Sequence, residues 1–345
     1  MRASVFHGPR DIRVDTVPDP EIRKPRDAIV RVRRATICGS DLWFYRGIWD
    51  WKPGYRTGHE FVGVVEEVGS EVRSIRQGDA VIVPFMYSDG VCEFCAKGLT
   101  TSCVRGGVWG ATNDGGQAEL VRVPQADGTL VPMPEPISSD EARLGSVALL
   151  TDVVPTGHHA AVGAGVGPGS TAVVIGDGAV GLCGVIAARR LGAERIIASG
   201  HHPERLELAR SLGATDTVDP AADDAGAHIR DLTDGGANSV LECVGTQSSM
   251  ELAVDAVRPG GRIGYVGVPA GVKRFPIDRL FQANVTLTGG VAPARTYIPE
   301  LLADLVAGRF DPSPILDTRV PLEEVPEGYA AMDRRSALKV LVEVS

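Results

Sequence analysis

The run Val173-Val174-Ile175 leads directly into Gly176-Asp177-Gly178-Ala179-Val180-Gly181. A buried strand that ends in G-x-G-x-x-G and opens a helix has few structural solutions. The first glycine permits a tight turn, the second lets backbone approach a pyrophosphate, and the third lets helix pack closely on strand. The helix N-terminus then faces the phosphates. In a chain with 42 glycines the pattern alone is weak, so its surroundings carry the argument. From Thr171 onward, strand-like runs at Thr171–Ile175, Arg195–Ser199, Asp216–Val218, Ser239–Cys243, Arg262–Val266 and Val285–Thr288 alternate with helical stretches such as Ala179–Leu191 and Pro203–Leu212. Leu206, Ala209 and Leu212 keep the spacing of one helical face. Six strands with helical crossovers predict a doubly wound parallel sheet that binds a dinucleotide.

The preceding ~150 residues have a different texture. Short β-rich runs, among them Ala28–Ala35, Glu60–Val68 and Ala80–Val83, are punctuated by Pro and Gly, which predicts a compact, largely antiparallel domain. After Gly290 a helix is expected at Pro299–Val306. The alternating run Lys339–Val344 lacks a partner in the nucleotide domain and is returned to the first. The expected division is residues 1–153 with 292–345, and 154–291 between them; 345 residues suit two domains.

The formal net charge of −9 argues against nucleic acid, which demands a basic face. Ala160–Ala188 carries only Asp177 as a charge, but eight glycines and Pro168 break it into loop, strand and helix, so no membrane span is expected. Met1–Arg10 has no apolar signal core, and the expected compartment is the cytoplasm.

An NAD site usually carries Asp or Glu at the end of the second strand, where it accepts from the ribose hydroxyls. Here Ile196-Ile197-Ala198-Ser199 ends in Gly200-His201-His202, with no carboxylate. Ser199, His201, His202 and Arg205 offer donors, so NADP is favoured over NAD. An exposed polar loop is the bland alternative.

Six cysteines without a secretory signal do not suggest disulfides, and Cys92, Cys95 and Cys103 have metal-ligand spacing. Cys183 and Cys243 read as packing residues. Cys38, His59 and Glu60 are potential zinc ligands.

Gly58-His59-Glu60-Phe61-Val62-Gly63-Val64-Val65-Glu66-Glu67-Val68-Gly69, followed by Gly78-Asp79, resembles the zinc signature of the medium-chain alcohol dehydrogenases. Cys38-Gly39-Ser40-Asp41 is similar to that family's catalytic cysteine segment, and Thr151 through Gly157 to the segment supplying its third ligand. The glycine turn, Glu242-Cys243-Val244-Gly245 and Gly264-Tyr265-Val266-Gly267 also fit, in order along essentially the whole chain.

The resemblance implies a GroES-like catalytic domain beside a Rossmann domain, an α/β chain overall. It implies a catalytic zinc on Cys38, His59 and Asp152, with Glu60 nearby as an exchanging ligand. Cys92, Cys95 and Cys103 resemble three ligands of the family's structural zinc lobe; Asp89 stands where the first cysteine is expected. Asp89 completes that site, or the lobe holds no zinc, or three reduced thiols remain. Ser40 is the proton-relay candidate, otherwise a helix cap, and Trp43 replaces the histidine some members carry. The implied cofactor contacts are Thr156, Gly176, Gly178, Ala179, Val180, Gly181, Val244, Gly245, Val266, Gly267, Val268 and Lys339, although a surface lysine is an equal reading of the last. Trp43, Trp49, Trp51 and Trp109 line an apolar pocket or belong to a core or subunit interface.

The expected activity is zinc-dependent hydride transfer between NADP(H) and a secondary alcohol, polyol or aldehyde, in a homodimer or homotetramer joined near Val285–Thr288. The competing readings are a zinc-independent quinone or enone reductase on the same fold, and a non-enzymatic cofactor-binding protein.

Overall fold

The computed structural model describes residues 1–110, 113–221 and 224–344. The chain forms two compact units, Met1–Asp152 with Pro293–Ser345, and Val153–Ala292.

In the second unit, six parallel strands are hydrogen-bonded in the sequential order 3-2-1-4-5-6, starting from Thr171–Ile175 as strand 1. Continuous apolar runs such as Ala172-Val173-Val174-Ile175 are required because helices cover both faces of such a sheet. Val173, Ile197, Val240 and Ile263 lie fully buried in its core. The fourth strand begins earlier than its apolar run, at Ala237, and the fifth at Val257. The last spans Thr286–Gly289 and is a sheet edge. The glycine-rich stretch 160–188 divides into the end of the helix Val153–Gly163, a loop, strand 1 and the helix Ala179–Arg190. Among the described residues no helix is long and apolar enough to cross a membrane.

The first unit centres on a seven-stranded, mostly antiparallel sheet. Ala28–Thr36 pairs with Glu60–Val68, which pairs with Ala80–Val83. The late strand Val340–Glu343 also pairs antiparallel with Ala28–Thr36, setting Leu341 opposite Thr36. This pairing brings Lys339 and Glu60 to the same end of the sheet. Phe61, Val65, Val81, Val121 and Tyr329 pack beneath it.

The helix expected at Pro299–Val306 starts five residues earlier, at Ala294, and runs through Pro299. A proline there forfeits one backbone hydrogen bond. Burial of Ala294, Ile298, Leu301, Leu302 and Leu305 on one face offsets that loss.

Candidate metal centre and nucleotide site

Three local features present the first donor cluster. Cys38 follows the strand Ala28–Thr36, immediately before the short helix Asp41–Tyr45. His59 and Glu60 open the next strand, and Asp152 ends a 3-10 turn. Cys38, His59, Glu60 and Asp152 are all buried, and each offers a ligand atom within 4.8 Å of the others. Asp152 Oδ2 lies 3.5 Å from Cys38 Sγ and 3.4 Å from His59 Nε2. A tetrahedral ion with bonds of roughly 2.1 Å has edges of about 3.4 Å. The donor spacing therefore fits zinc, and the Cys/His/Asp set suits it chemically.

Electrostatics point the same way. Burial pushes the Cys38 thiol up, and the charges of Glu60 and Asp152 push it further. Burial alone would lower His59, but Asp41, Cys38 and Asp152 hold it well above the ordinary value. So much buried negative charge around one point favours a divalent cation. Among the described residues, Glu60 Oε1 is buried without a hydrogen-bond partner, an acceptor available to such an ion.

Two residues outside the expected ligand set organise this cluster. Asp41 accepts from His59 Nδ1 with one oxygen, at 3.1 Å, and from the Cys38 N–H with the other, at 3.0 Å. A carboxylate behind a metal-binding imidazole fixes its tautomer and orientation. Its signal in the sequence was its place three residues after Cys38, on the first turn of a helix. Lys339, expected at the cofactor phosphates, is only 1 % exposed, and its ammonium pairs with Glu60 Oε2 at 2.5 Å. Thr36 Oγ1 donates to the same oxygen. Burial works against the Lys339 charge, yet Glu60 pushes it up to about 12. The surface-lysine reading is corrected accordingly: this ammonium is buried against a metal-cluster carboxylate.

Ser40 is the N-cap residue of its helix but makes no side-chain capping bond, so the bland reading of its hydroxyl does not apply. The tryptophans separate into two groups. Trp43 stacks on half-exposed Trp49, with centroids 5.6 Å apart. Trp51 stacks on Phe44, and fully buried Trp109 packs on Phe61 while donating Nε1–H to the Pro84 carbonyl. Those two belong to the core rather than to a pocket.

The second cluster is Asp89, Cys92, Cys95 and Cys103, again with ligand atoms within 4.8 Å. Cys92 Sγ and Cys103 Sγ are 3.8 Å apart. This equals the tetrahedral edge of about 3.8 Å for Zn–S bonds of about 2.3 Å. Asp89 Oδ1 accepts from the Val91 and Cys92 N–H groups, and Arg105 lies 2.7 Å from Oδ2. Burial opposes the Asp89 charge, but these hydrogen bonds hold its carboxyl well below the usual range. Burial, with the Cys92 and Cys103 side chains beside it, pushes the Cys95 thiol up to about 12.

In the second unit, Gly176 has a φ of +116°, and a Cβ on Gly181 would lie 1.9 Å from the Gly176 carbonyl oxygen. The turn therefore requires glycine at both positions. Gly178, Ala179 and Val180 follow at the N-terminus of the helix Ala179–Arg190. Gly245 and Gly267 touch backbone to backbone, bringing half-exposed Val244 and Val268 together with Val266 at the strand ends. Thr156 lies in the first turns of Val153–Gly163. Ser199 is 1 % exposed at the end of strand 2, and among the described residues its hydroxyl has no hydrogen-bond partner. His201, His202 and Arg205 do gather at the turn after strand 2, and a carboxylate missing from the sequence expectation meets them there. It is Asp177, from the glycine turn.

Residues 24–135 match the alcohol dehydrogenase GroES-like domain, and residues 179–307 the zinc-binding dehydrogenase domain. The chain is 40% identical over 340 residues to a probable zinc-binding alcohol dehydrogenase of Mycobacterium tuberculosis, covering 97% of this chain and 86% of that one. It is 36% identical over 350 residues to zinc-type alcohol dehydrogenase B of Aspergillus flavus, covering 99% and 81%. Among solved structures, the alcohol dehydrogenase TADH from Thermus sp. ATN1 superposes with a TM-score of 0.94 at 38% identity, covering all of both chains. By sequence, fold and kinship this chain belongs to the zinc-dependent medium-chain dehydrogenase/reductase family.

Proposed function

We propose that the chain is a zinc-dependent alcohol dehydrogenase or carbonyl reductase, exchanging hydride between a nicotinamide dinucleotide and a secondary alcohol, polyol or aldehyde. The observation that carries this reading is that Asp152 Oδ2 lies 3.5 Å from Cys38 Sγ and 3.4 Å from His59 Nε2. A metal ion held by these three residues would still have room for a substrate oxygen. Cys38, His59 and Asp152 would hold a zinc ion that would supply Lewis acidity, and the glycine-turn site would hold a nicotinamide dinucleotide that would supply hydride chemistry. Asp41 orients His59, while Lys339 balances the Glu60 charge. Ser40, with no capping bond to hold its hydroxyl, relays the alcohol proton outward. The stacked Trp43–Trp49 pair is the apolar flank nearest to it in sequence.

Asp89, Cys92, Cys95 and Cys103 hold a second, structural zinc in this reading. Homo-oligomers form through the edge strand Thr286–Gly289, near Phe281, which is 85 % exposed. For the cofactor, the lack of an acid after strand 2 favours NADP. A second reading, NAD, is favoured by the Asp177 contacts at the same turn.

The test is initial-rate oxidation of NADH and NADPH, side by side, over a panel of aldehydes and ketones. Turnover should vanish with a zinc chelator and return with zinc. Chelator-insensitive turnover of enones would favour the zinc-independent reductase, and inertness in both reaction directions a non-enzymatic role.

A further inference from the structure

The turn after the second Rossmann strand is held by a residue from the first. Asp177 stands between Gly176 and Gly178, with its side chain 12 % exposed. Its Oδ2 accepts from the His201 N–H at 2.7 Å and the His202 N–H at 2.9 Å, and lies 2.9 Å from His202 Nδ1. Arg205 Nη1 stands 4.0 Å from Oδ1. The approach is close enough to dictate Gly200, where a Cβ would lie 2.4 Å from the Asp177 Cβ. The donors that a 2′-phosphate would seek at this turn therefore already face a carboxylate.

In a doubly wound dinucleotide site the pyrophosphate lies on the first glycine turn and the adenosine ribose against the end of the second strand. Asp177 belongs to the former and is hydrogen-bonded to the latter, so its charge sits where the two meet. We infer that Asp177 is the cofactor-specificity determinant, supplying from the glycine turn the carboxylate that strand 2 lacks and selecting NAD over NADP. This rests on the dinucleotide reading of the site. A ribose hydroxyl can donate to Oδ1, which has lone pairs to spare. A 2′-phosphate would instead meet a like charge and find the turn N–H groups taken, a juxtaposition that suppresses binding. Burial would raise the Asp177 pKa, but the His202 hydrogen bonds and Arg205 keep it below its ordinary value, so the group is ionised at neutral pH.

Titration of the full-length, zinc-loaded protein with NADH and with NADPH, followed by nicotinamide fluorescence, tests this in the wild type, Asp177→Asn and Asp177→Ala. The wild type should bind NADH more tightly. Asp177→Asn, which keeps the shape of the turn, should shift the NADPH-to-NADH affinity ratio toward NADPH by about tenfold. Loosening of the turn alone would weaken both cofactors together and leave the ratio in place. A wild type that prefers NADPH, or a ratio unmoved in both variants while both cofactors bind, overturns the role of Asp177 and leaves the dinucleotide site standing. Binding of neither cofactor to any of the three proteins overturns the dinucleotide reading itself, and this inference with it.

Discussion

Asp41 bridges Cys38 and His59 with its two oxygens, at 3.0 Å to the Cys38 N–H and 3.1 Å to the His59 Nδ1. One carboxylate thus sets both the backbone of one candidate ligand and the ring of another. Replacing it by alanine frees the imidazole to rotate and removes its preferred tautomer. Asp41→Ala should lower zinc affinity or kcat/KM by about 10–100-fold. Competition with a fluorescent zinc chelator, beside steady-state rates, measures both. Unchanged zinc retention and unchanged rates would remove Asp41 from the site.

The Glu60–Lys339 pair is buried on both sides. Lys339→Met leaves the Glu60 carboxylate without its counter-charge and should destabilise the first unit by about 3–5 kcal/mol. Glu60→Gln added to Lys339→Met should recover much of that loss, because no unpaired charge then remains. Because the Lys339 pKa rises from 10.5 to about 12 on folding, the contribution is complete below 10.5 and fades as pH climbs through about 12. Denaturant melts of the single and double variants decide the matter; equal losses in the two would refute it.

For the cysteine lobe, metal analysis of the purified chain should give about two zinc ions per chain, falling to about one in Cys95→Ser. The wild-type Tm should drop on chelation more than that of the variant. A wild type with one zinc per chain and full activity would mean that the lobe folds on Asp89 hydrogen bonds and Arg105 alone.

The Asp177 contacts also carry a pH signature. The folded pKa lies below the ordinary 3.8, so the stabilisation is complete above that value and is lost as pH falls through the lower folded one. Asp177→Asn should cost about 1–3 kcal/mol at pH 7, with the gap to wild type closing below pH ~4. A gap constant from neutral to acid pH would show that charge has no part in holding the turn.

What was legible in the sequence was local. The glycine turn announces itself because strand, turn and helix are contiguous; three of the six expected Rossmann strands match the observed ones residue for residue, and the other three end within one residue of them. His59, Glu60 and the Cys92–Cys103 spacing are visible for the same reason. Side-chain direction was not legible. Asp177 looked like the variable residue of a glycine motif, yet it reaches a turn 24 residues away. Lys339 read as a surface or phosphate lysine because its partner lies 279 residues earlier. Trp51 and Trp109 looked like their neighbours Trp43 and Trp49 until tertiary packing separated them.

The pairing of Val340–Glu343 with Ala28–Thr36 has a consequence for biosynthesis. The ribosome releases every residue of the Rossmann unit before it releases the strand that closes the first sheet and the lysine that neutralises Glu60. Domains usually fold in the order they emerge. Here the contiguous middle of the chain is free to finish first, while the half that began earlier waits with an open sheet edge and an unbalanced carboxylate. The candidate metal centre is therefore expected among the last parts of the molecule to mature, and nascent chains that stop short of Lys339 carry its candidate ligands without the charge that balances Glu60.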